Sequence, residues 1–432
     1  MSQPAPRVVW YGDDFTGATD TLATLARHGV RALLFPQAPS PARLAAAGPL
    51  DAVGVAGAAR GMTPEDMAAE LAPVGAFFAA SSARVLHYKC CSTFDSAPHV
   101  GSIGAAVRLL KPHAPNPLVS VVGGQPSLGR YCLFGNLFAA AGAGGAVHRI
   151  DRHPTMARHP VTPMGEADLG LHLAAQGLAD LGRVSYPAYA AGADRLGQTL
   201  DRLAAQHPAG VLLDVSRQEE LLPIGAALWA AAQRAPLLAV GASSVAQALA
   251  AAWGADPVAE GPTVRPAEGP VFVLAGSLSP VTRRQVEAAT AYVRRAVSPE
   301  RLVADEGYRA ALLADIAALL GHGRHVLAIT DRPDEGPAVP PAAVATATAR
   351  LLADVLARVP LRRVGVCGGD TSSHAAQALA PWALGHAADL SPGVALCLAR
   401  FDDPARDGLE LMLKGGQMGP ENVLDLLVEG TG

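Results

Sequence analysis

No block of basic residues interrupts this 432-residue chain, whose formal net charge is −4 and whose pI is about 6.3. That argues against nucleic acid as a partner. No apolar run approaches the length of a membrane span, and no charged-then-apolar leader precedes Arg7. A cytoplasmic protein without a membrane partner is therefore expected. The five cysteines are an odd number without framework spacing, which points to a reducing compartment, and the adjacent Cys90 and Cys91 lack the C-x-x-C spacing of redox or zinc sites. There is no G-x-x-x-x-G-K-[ST] run, which excludes a P-loop enzyme, and the nearest dinucleotide fingerprint, Gly142-Ala-Gly144, fails at Val147. Internal repeats are absent. Aromatic residues make up only 5% of a chain rich in Ala, Gly and Pro, a composition of compact enzymes and not of disorder.

What is present is alternation. Short apolar runs (Ala52–Ala56, Val85–Tyr88, Leu118–Val122, Val211–Asp214, Leu237–Val240) are separated by stretches of helical periodicity. The pattern predicts an α/β fold with largely parallel sheets flanked by helices. The length exceeds a single core. Gly254 to Pro270 lacks periodicity and reads as a linker, after which strands restart at Val271–Ala275, His325–Ile329, Arg363–Cys367 and Val394–Leu398. Two domains are expected, 1–258 and 259–432, with the active site in the cleft between them.

The stretch Tyr11-Gly-Asp-Asp-Phe-Thr-Gly-Ala-Thr-Asp20 follows the strand-like Arg7–Tyr11 and opens a helix. Strand, acidic glycine turn and helix is how a parallel sheet presents polar groups at its carboxyl edge. Helix capping accounts for one of these residues, but not for Asp13, Asp14, Thr16, Gly17 and Asp20 together. Arg60 follows the Ala52 strand to the same edge and could grip a carboxylate through two parallel hydrogen bonds, or be a surface residue. Lys89-Cys-Cys-Ser-Thr-Phe-Asp95 is a second polar turn; Lys89 leaving a buried strand needs an anionic partner. The helix start at Gly101–Gly104 could hold an anion. Arg149 to Met164 is dense in His and Arg. Asp151, His153 and His159 do not fit a zinc spacing, and a stiff cationic loop over a small acid fits better. Gly123–Arg130 is a glycine loop that plain turn chemistry would also explain.

In the second half, Leu274-Ala-Gly-Ser277-Leu-Ser-Pro280 follows a strand and opens a helix near Pro280. Cys367-Gly-Gly-Asp-Thr371 follows another and opens a helix at about Ser373. With Leu413-Lys-Gly-Gly-Gln-Met-Gly419 these turns suggest a pocket for nucleotide phosphates.

In this order Asp13-Asp-Phe-Thr-Gly-Ala-Thr-Asp20, Lys89–Asp95, His159-Pro-Val-Thr-Pro-Met164, Gly276-Ser277 and Gly368-Gly-Asp-Thr371 resemble the four-carbon acid sugar kinase family. Its members include 3-oxo-tetronate, threonate and erythronate kinases. The resemblance runs from about residue 7 to about residue 428. It implies an acid-sugar-binding first domain and an ATP-binding second one. It implies substrate contacts at Asp13, Asp14, Arg60, Lys89 and Asp95, and ATP contacts at Ser277, Gly368, Gly369, Asp370, Thr371 and Gly416. The implied reaction is Mg²⁺- and ATP-dependent phosphorylation of the terminal hydroxyl of a small sugar acid. Asp14 or Asp13 would accept the proton, and Arg60 and Lys89 would anchor the acid end. Gly12 stands where Ala is usual, Asp370 where Glu is common, and Gly415 where Ser is frequent. The substrate expected first is a 3-oxo-tetronate-type acid; Gly124–Arg130 departs from the Pro-Val-Asn-Gly-Arg-like text of 3-oxo-tetronate kinases, which adds the branched 3-oxo-isoapionate to threonate and erythronate as alternatives. Competing readings are a nucleotide-independent aldolase or hydrolase, a solute-binding protein and a nucleotide sensor. A homo-oligomer is left open.

Overall fold

The computed structural model describes residues 4–431 except 143, 160, 207, 256–261, 277–278 and 331–338; the side chains of Pro341 and Asp370 are also left aside. The chain divides into two compact units, Met1–Ala259 and Glu260–Gly432.

In the first unit β1 (Val8–Gly12), β2 (Ala32–Phe35), β3 (Ala52–Ala56), β4 (Val85–Lys89) and β5 (Val119–Gly123) come first in the chain. A separate antiparallel sheet follows, made of β6 (Arg130–Leu133), β7 (Asn136–Ala140) and β8 (Val147–Arg149). Then β9 (Gly182–Val184), β10 (Val211–Asp214) and β11 (Leu237–Gly241) complete the main sheet. Its order is β2-β3-β1-β4-β11-β5-β10-β9, and every neighbouring pair is parallel. Strands buried on both faces read as continuous apolar runs, which is why β1, β3 and β11 were legible. From β1 the chain moves outward to β2, returns to β3, then crosses to β4 on the other side of β1. That reversal opens a crevice at the carboxyl ends of β3, β1 and β4.

The helix Phe15–Arg27 follows β1 directly. Asp14, extended at φ −142°, caps it by accepting from the Gly17 amide, and Phe15, Ala18, Leu22 and Leu25 form its buried face. His87, in β4, is fully buried with Nε2 on the Gly241 carbonyl at 3.1 Å and Nδ1 without a partner. Burial, assisted by Lys89, pushes its imidazole down to about 3. The unfolded chain takes up that proton near pH 6.5 and the folded one does not, so stability is full above 6.5 and drains as pH falls toward 3. His87→Leu should remove one proton's worth of this slope, about 1.4 kcal/mol per pH unit. Urea melts of both proteins between pH 4.5 and 6.5 measure it; identical slopes would remove His87 as the cause.

The second unit holds β12 (Val271–Ala275), β13 (Val293–Val297), β14 (Val326–Thr330), β15 (Arg363–Cys367), β16 (Ala383–Ser391), β17 (Val394–Arg400) and β18 (Leu409–Lys414). The order is β13-β14-β12-β15-β18-β17-β16, parallel as far as β18 and antiparallel beyond it. The same reversal recurs: β12 leads outward to β13, back to β14, then across to β15. Val273, Leu327, Met412, Leu424 and Leu427 lie in its core.

The expected linker is only partly that. Residues 256–261 lie outside the described ones, but Val264 is buried in the second unit's core. It exchanges hydrogen bonds with Thr431, and Ala267 donates to the Val428 carbonyl. The second part of the stretch is thus a clasp on the C-terminal helix Val423–Glu429. The five cysteines are free. Among the described residues no helix is long and apolar enough to cross a membrane.

Candidate active site

The crevice of the first unit gathers the acidic turn, Arg60 and the Lys89 turn. Parallel register aligns Gly12 of β1 with Ala56 of β3 and Lys89 of β4, so the loops that follow emerge side by side. The Asp13 amide donates to the Lys89 carbonyl, and the Arg60 amide to the Asp13 carbonyl, both at 3.0 Å. The Arg60 guanidinium bonds Asp13 at 2.6 and 3.3 Å and Asp14 at 2.8 Å. It holds the two carboxylates through Nε and Nη2. Asp14 also accepts from the Thr16 hydroxyl at 2.6 Å and the Gly17 amide at 2.9 Å.

The adjacent carboxylates differ in environment. Burial pushes Asp13 up, and the Arg60 charge only partly opposes it. Burial also acts on Asp14, but Arg60, Lys89, the Thr16 hydroxyl and the Gly17 amide outweigh it and hold Asp14 below the usual range. Asp14 is the more exposed side chain, 14% against 3%. One carboxylate is therefore kept ionised and reachable while its neighbour is buried against Arg60, a division characteristic of acid–base sites. Gly17 permits this. A β-carbon there would sit 2.4 Å from Asp14 Oδ1 and 2.6 Å from Lys89 Nζ, so any side chain would separate them.

Lys89 is buried and donates to the Cys90 carbonyl at 2.8 Å. In the following turn Phe94 takes a left-handed φ of 53°, a strained conformation that delivers Asp95 to the site. Asp95 accepts from Thr93 at 2.6 Å, and it is held low, against burial, by Arg60 and by its hydroxyl and thiol partners. Burial pushes the Cys91 thiol up to about 11 and raises Cys90 as well, so neither is a nucleophile at neutral pH.

One expected feature turns out differently. The helix Ile103–Leu110 offers no anion site, because Ser102 caps the Ala105 amide and the Gln176 side chain takes that of Ile103. In the Arg149–Met164 loop, Asp151 pairs with Arg149 at 2.6 Å, and both His153 ring nitrogens engage backbone groups. These residues hold the loop. His159 bonds Thr162 at 3.1 Å and lies close enough to Asp95 to lower its proton affinity. Among the described residues no three His, Cys, Asp or Glu side chains gather as metal ligands.

In the second unit three turns meet at one sheet edge. The Gly276 amide bonds the Cys367 carbonyl at 2.9 Å, and the Gly368 amide bonds that of Lys414 at 2.8 Å. The helix here begins at Gly369, not at about Ser373, so Gly369, Asp370 and Thr371 form its first turn. Its N-cap, Gly368, supplies no side chain and adopts φ 123°, ψ 132°, which only glycine takes without strain. The first amides of this helix thus lack a side-chain cap, the condition for receiving an anion. Ser277 lies outside the described residues. The Gly416 carbonyl is pinned by Ser279 and Thr282, and Gln285 donates to the carbonyls of Met418, Gly419 and Pro420. Lys414, wholly buried, donates to the Gly415 and Met418 carbonyls and the Thr282 hydroxyl. Thr282 and Gln285 were invisible in sequence because they act 130 or more residues away from the loop they fix.

An apolar cavity of about 450 Å³ lies at the opposite sheet edge, where Pro6, Leu50 and Ser81 precede β1, β3 and β4. It is lined by no charged group and has no part in this chemistry.

Residues 8–249 match the family model described as a sugar-binding N-terminal domain, and residues 272–424 match a nucleotide-binding C-terminal domain. A 3-oxo-isoapionate kinase of Paraburkholderia graminis is 39% identical, over 98% of this chain and 94% of its own. A 3-oxo-tetronate kinase of Cupriavidus necator is 31% identical, over 96% and 94%. A solved structure from Salmonella typhimurium LT2 shares the fold with a TM-score of 0.77 at 24% identity, over 97% of this chain and 98% of its own. With both family models matched in order and kinases as full-length relatives, the chain is a phosphotransferase and belongs to the four-carbon acid sugar kinase family.

Proposed function

We propose that the chain transfers the γ-phosphoryl group of MgATP to the terminal hydroxyl of a 3-oxo sugar acid, with the branched 3-oxo-isoapionate ahead of straight-chain 3-oxo-tetronate. The observation that carries the reaction is the split pair: Asp14 ionised and accessible, Asp13 buried against Arg60. The order of substrates rests on the higher identity to the 3-oxo-isoapionate kinase and on the unusual Gly124–Arg130 loop.

Asp14 accepts the proton of the attacking hydroxyl, and Asp13 with Arg60 fixes its orientation. Lys89 and Asp95 bind polar groups of the acid. Phosphoryl transfer asks chiefly for positioning and charge neutralisation. Gly368, Gly369, Thr371 and the Gly416 loop receive the nucleotide phosphates at the uncapped helix end; Ser277 and Asp370 are ATP contacts by the family resemblance alone. Magnesium arrives as part of the nucleotide substrate, which suits an ion held mainly by phosphates, water and one or two carboxylates.

ADP release from MgATP, measured across 3-oxo-isoapionate, 3-oxo-tetronate, threonate and erythronate, tests this. Saturable turnover, highest with 3-oxo-isoapionate, is expected. A preference for threonate or erythronate would overturn the 3-oxo assignment.

A further inference from the structure

Strand order places two more loops on the same carboxyl edge, those after β11 and β5, next to Lys89. They carry a polar cluster that the chemistry above does not use. The loop after β5 doubles back tightly, with the Gln125 amide donating to the Arg130 carbonyl at 2.8 Å and the Arg130 amide to that of Gln125 at 3.2 Å. The Gln125 side chain reaches Asp20, and Gln247 from the helix Ser244–Ala252 reaches Ser127 of the same loop.

The cluster is incompletely satisfied. Arg130 Nε is buried without a partner, and its one side-chain hydrogen bond among the described residues goes to the Leu128 carbonyl. Burial lowers the proton affinity of this guanidinium; Asp20, Asp95 and the Cys91 sulfur act on it from a distance without bonding it. Gln125 and Gln247 are 2% and 8% exposed, and the Oε1 of each is unpartnered. Their Nε2 atoms are engaged, by Asp20 at 3.3 Å and by Ser127 at 3.0 Å. Asp20 requires a donor, which fixes the Gln125 amide with its Oε1 open, and an open amide oxygen accepts from a hydroxyl. A half-buried guanidinium whose buried Nε has no partner, without a bonded carboxylate and beside two open amide oxygens, suits an anion that carries hydroxyls.

We infer that Arg130 binds the substrate's carboxylate, with the Gln125 and Gln247 amide oxygens accepting from hydroxyls of the same substrate. The inference rests on the sugar-acid kinase reading and assigns the acid end to a cation other than Arg60, whose Nε and Nη2 hold Asp13 and Asp14. Three strand spacings separate β1 from β5, about 14 Å. An arginine side chain and a short sugar acid bridge that span, leaving the far hydroxyl at Asp14. Lys89, between them, faces the middle of the chain.

The test compares each sugar acid with its neutral carboxamide. For the wild-type protein the acid is expected to be strongly preferred in kcat/KM. In Arg130→Gln that preference should fall about a hundredfold, mostly through KM of the acid. Arg130→Lys should recover part of it, and millimolar guanidinium should restore the acid but not the amide in Arg130→Ala. Parallel losses on acid and amide, with melting temperatures unchanged, would overturn the assignment. If the wild-type chain turned over no sugar acid, the kinase reading would fail instead, and the two failures are distinct.

Discussion

Asp14→Asn should lower kcat by about 10²–10⁴ while changing KM for the sugar acid by no more than a few-fold. The asparagine keeps the cap on the Phe15–Arg27 helix, because its side-chain oxygen still accepts from the Gly17 amide, so folding should survive. What it loses is the capacity to take a proton. Asp14 suits that role because Arg60, Lys89, Thr16 and Gly17 keep it ionised across the neutral range while its side chain remains partly open. Steady-state ADP release beside a thermal melt separates the two effects. A kcat within threefold of wild type, with the melt unchanged, would move the proton acceptor elsewhere, and Asp13→Asn would be the next variant to measure.

Arg60→Met should cost about 3–5 kcal/mol of stability, because it leaves two neighbouring carboxylates without their shared cation. The pH dependence follows from the sign of each shift. Asp14, held low, contributes stability above its unfolded value of about 3.9 and loses it as pH falls through its folded value. Asp13, pushed up, behaves oppositely: its contribution is full at low pH and lost as pH rises through its folded value. Removing Arg60 raises the proton affinity of both. The destabilisation should therefore be largest near neutrality and shrink as acid protonates the pair. In any folded fraction the acid limb of kcat/KM should move to higher pH, because Asp14 would then be protonated where it is now ionised. Denaturant melts from pH 4 to 8 measure the first effect and pH–rate profiles the second. A destabilisation independent of pH would mean that Arg60 acts by packing alone.

The acidic turn, Arg60 and the Lys89 turn were legible because each directly follows an apolar run, and in a parallel sheet such followers share one edge. Sequence could not show which partners each cation would find. Arg60 looked free to grip a ligand, yet Asp14 lies 46 residues away in sequence and directly beside it in space. The helix start at Ile103 looked open for an anion; its occupant, Gln176, is 73 residues distant. Gly124–Arg130 stood out only as a departure from the family's text, and the order β4-β11-β5 is what brings it to the site's edge. The charged edge strand β13 (Val-Arg-Arg-Ala-Val) escaped notice because an edge strand need not be apolar on both faces, and β2, apolar throughout, because it is only four residues long. The Gly369 helix start was placed late because consecutive glycines argue against helix, and the glycine loop it serves overrides that preference.

The clasp between Val264 and Thr431 joins positions 167 residues apart. During synthesis the main sheet of the first unit has its last strand once Gly241 has emerged from the ribosome, and it can collapse while translation continues. The second unit cannot. The loop between β18 and the C-terminal helix is anchored by a clasp whose last member, Thr431, is among the last residues added. A nascent chain stalled before that point would carry a finished acid-sugar half and a donor half still open to proteases.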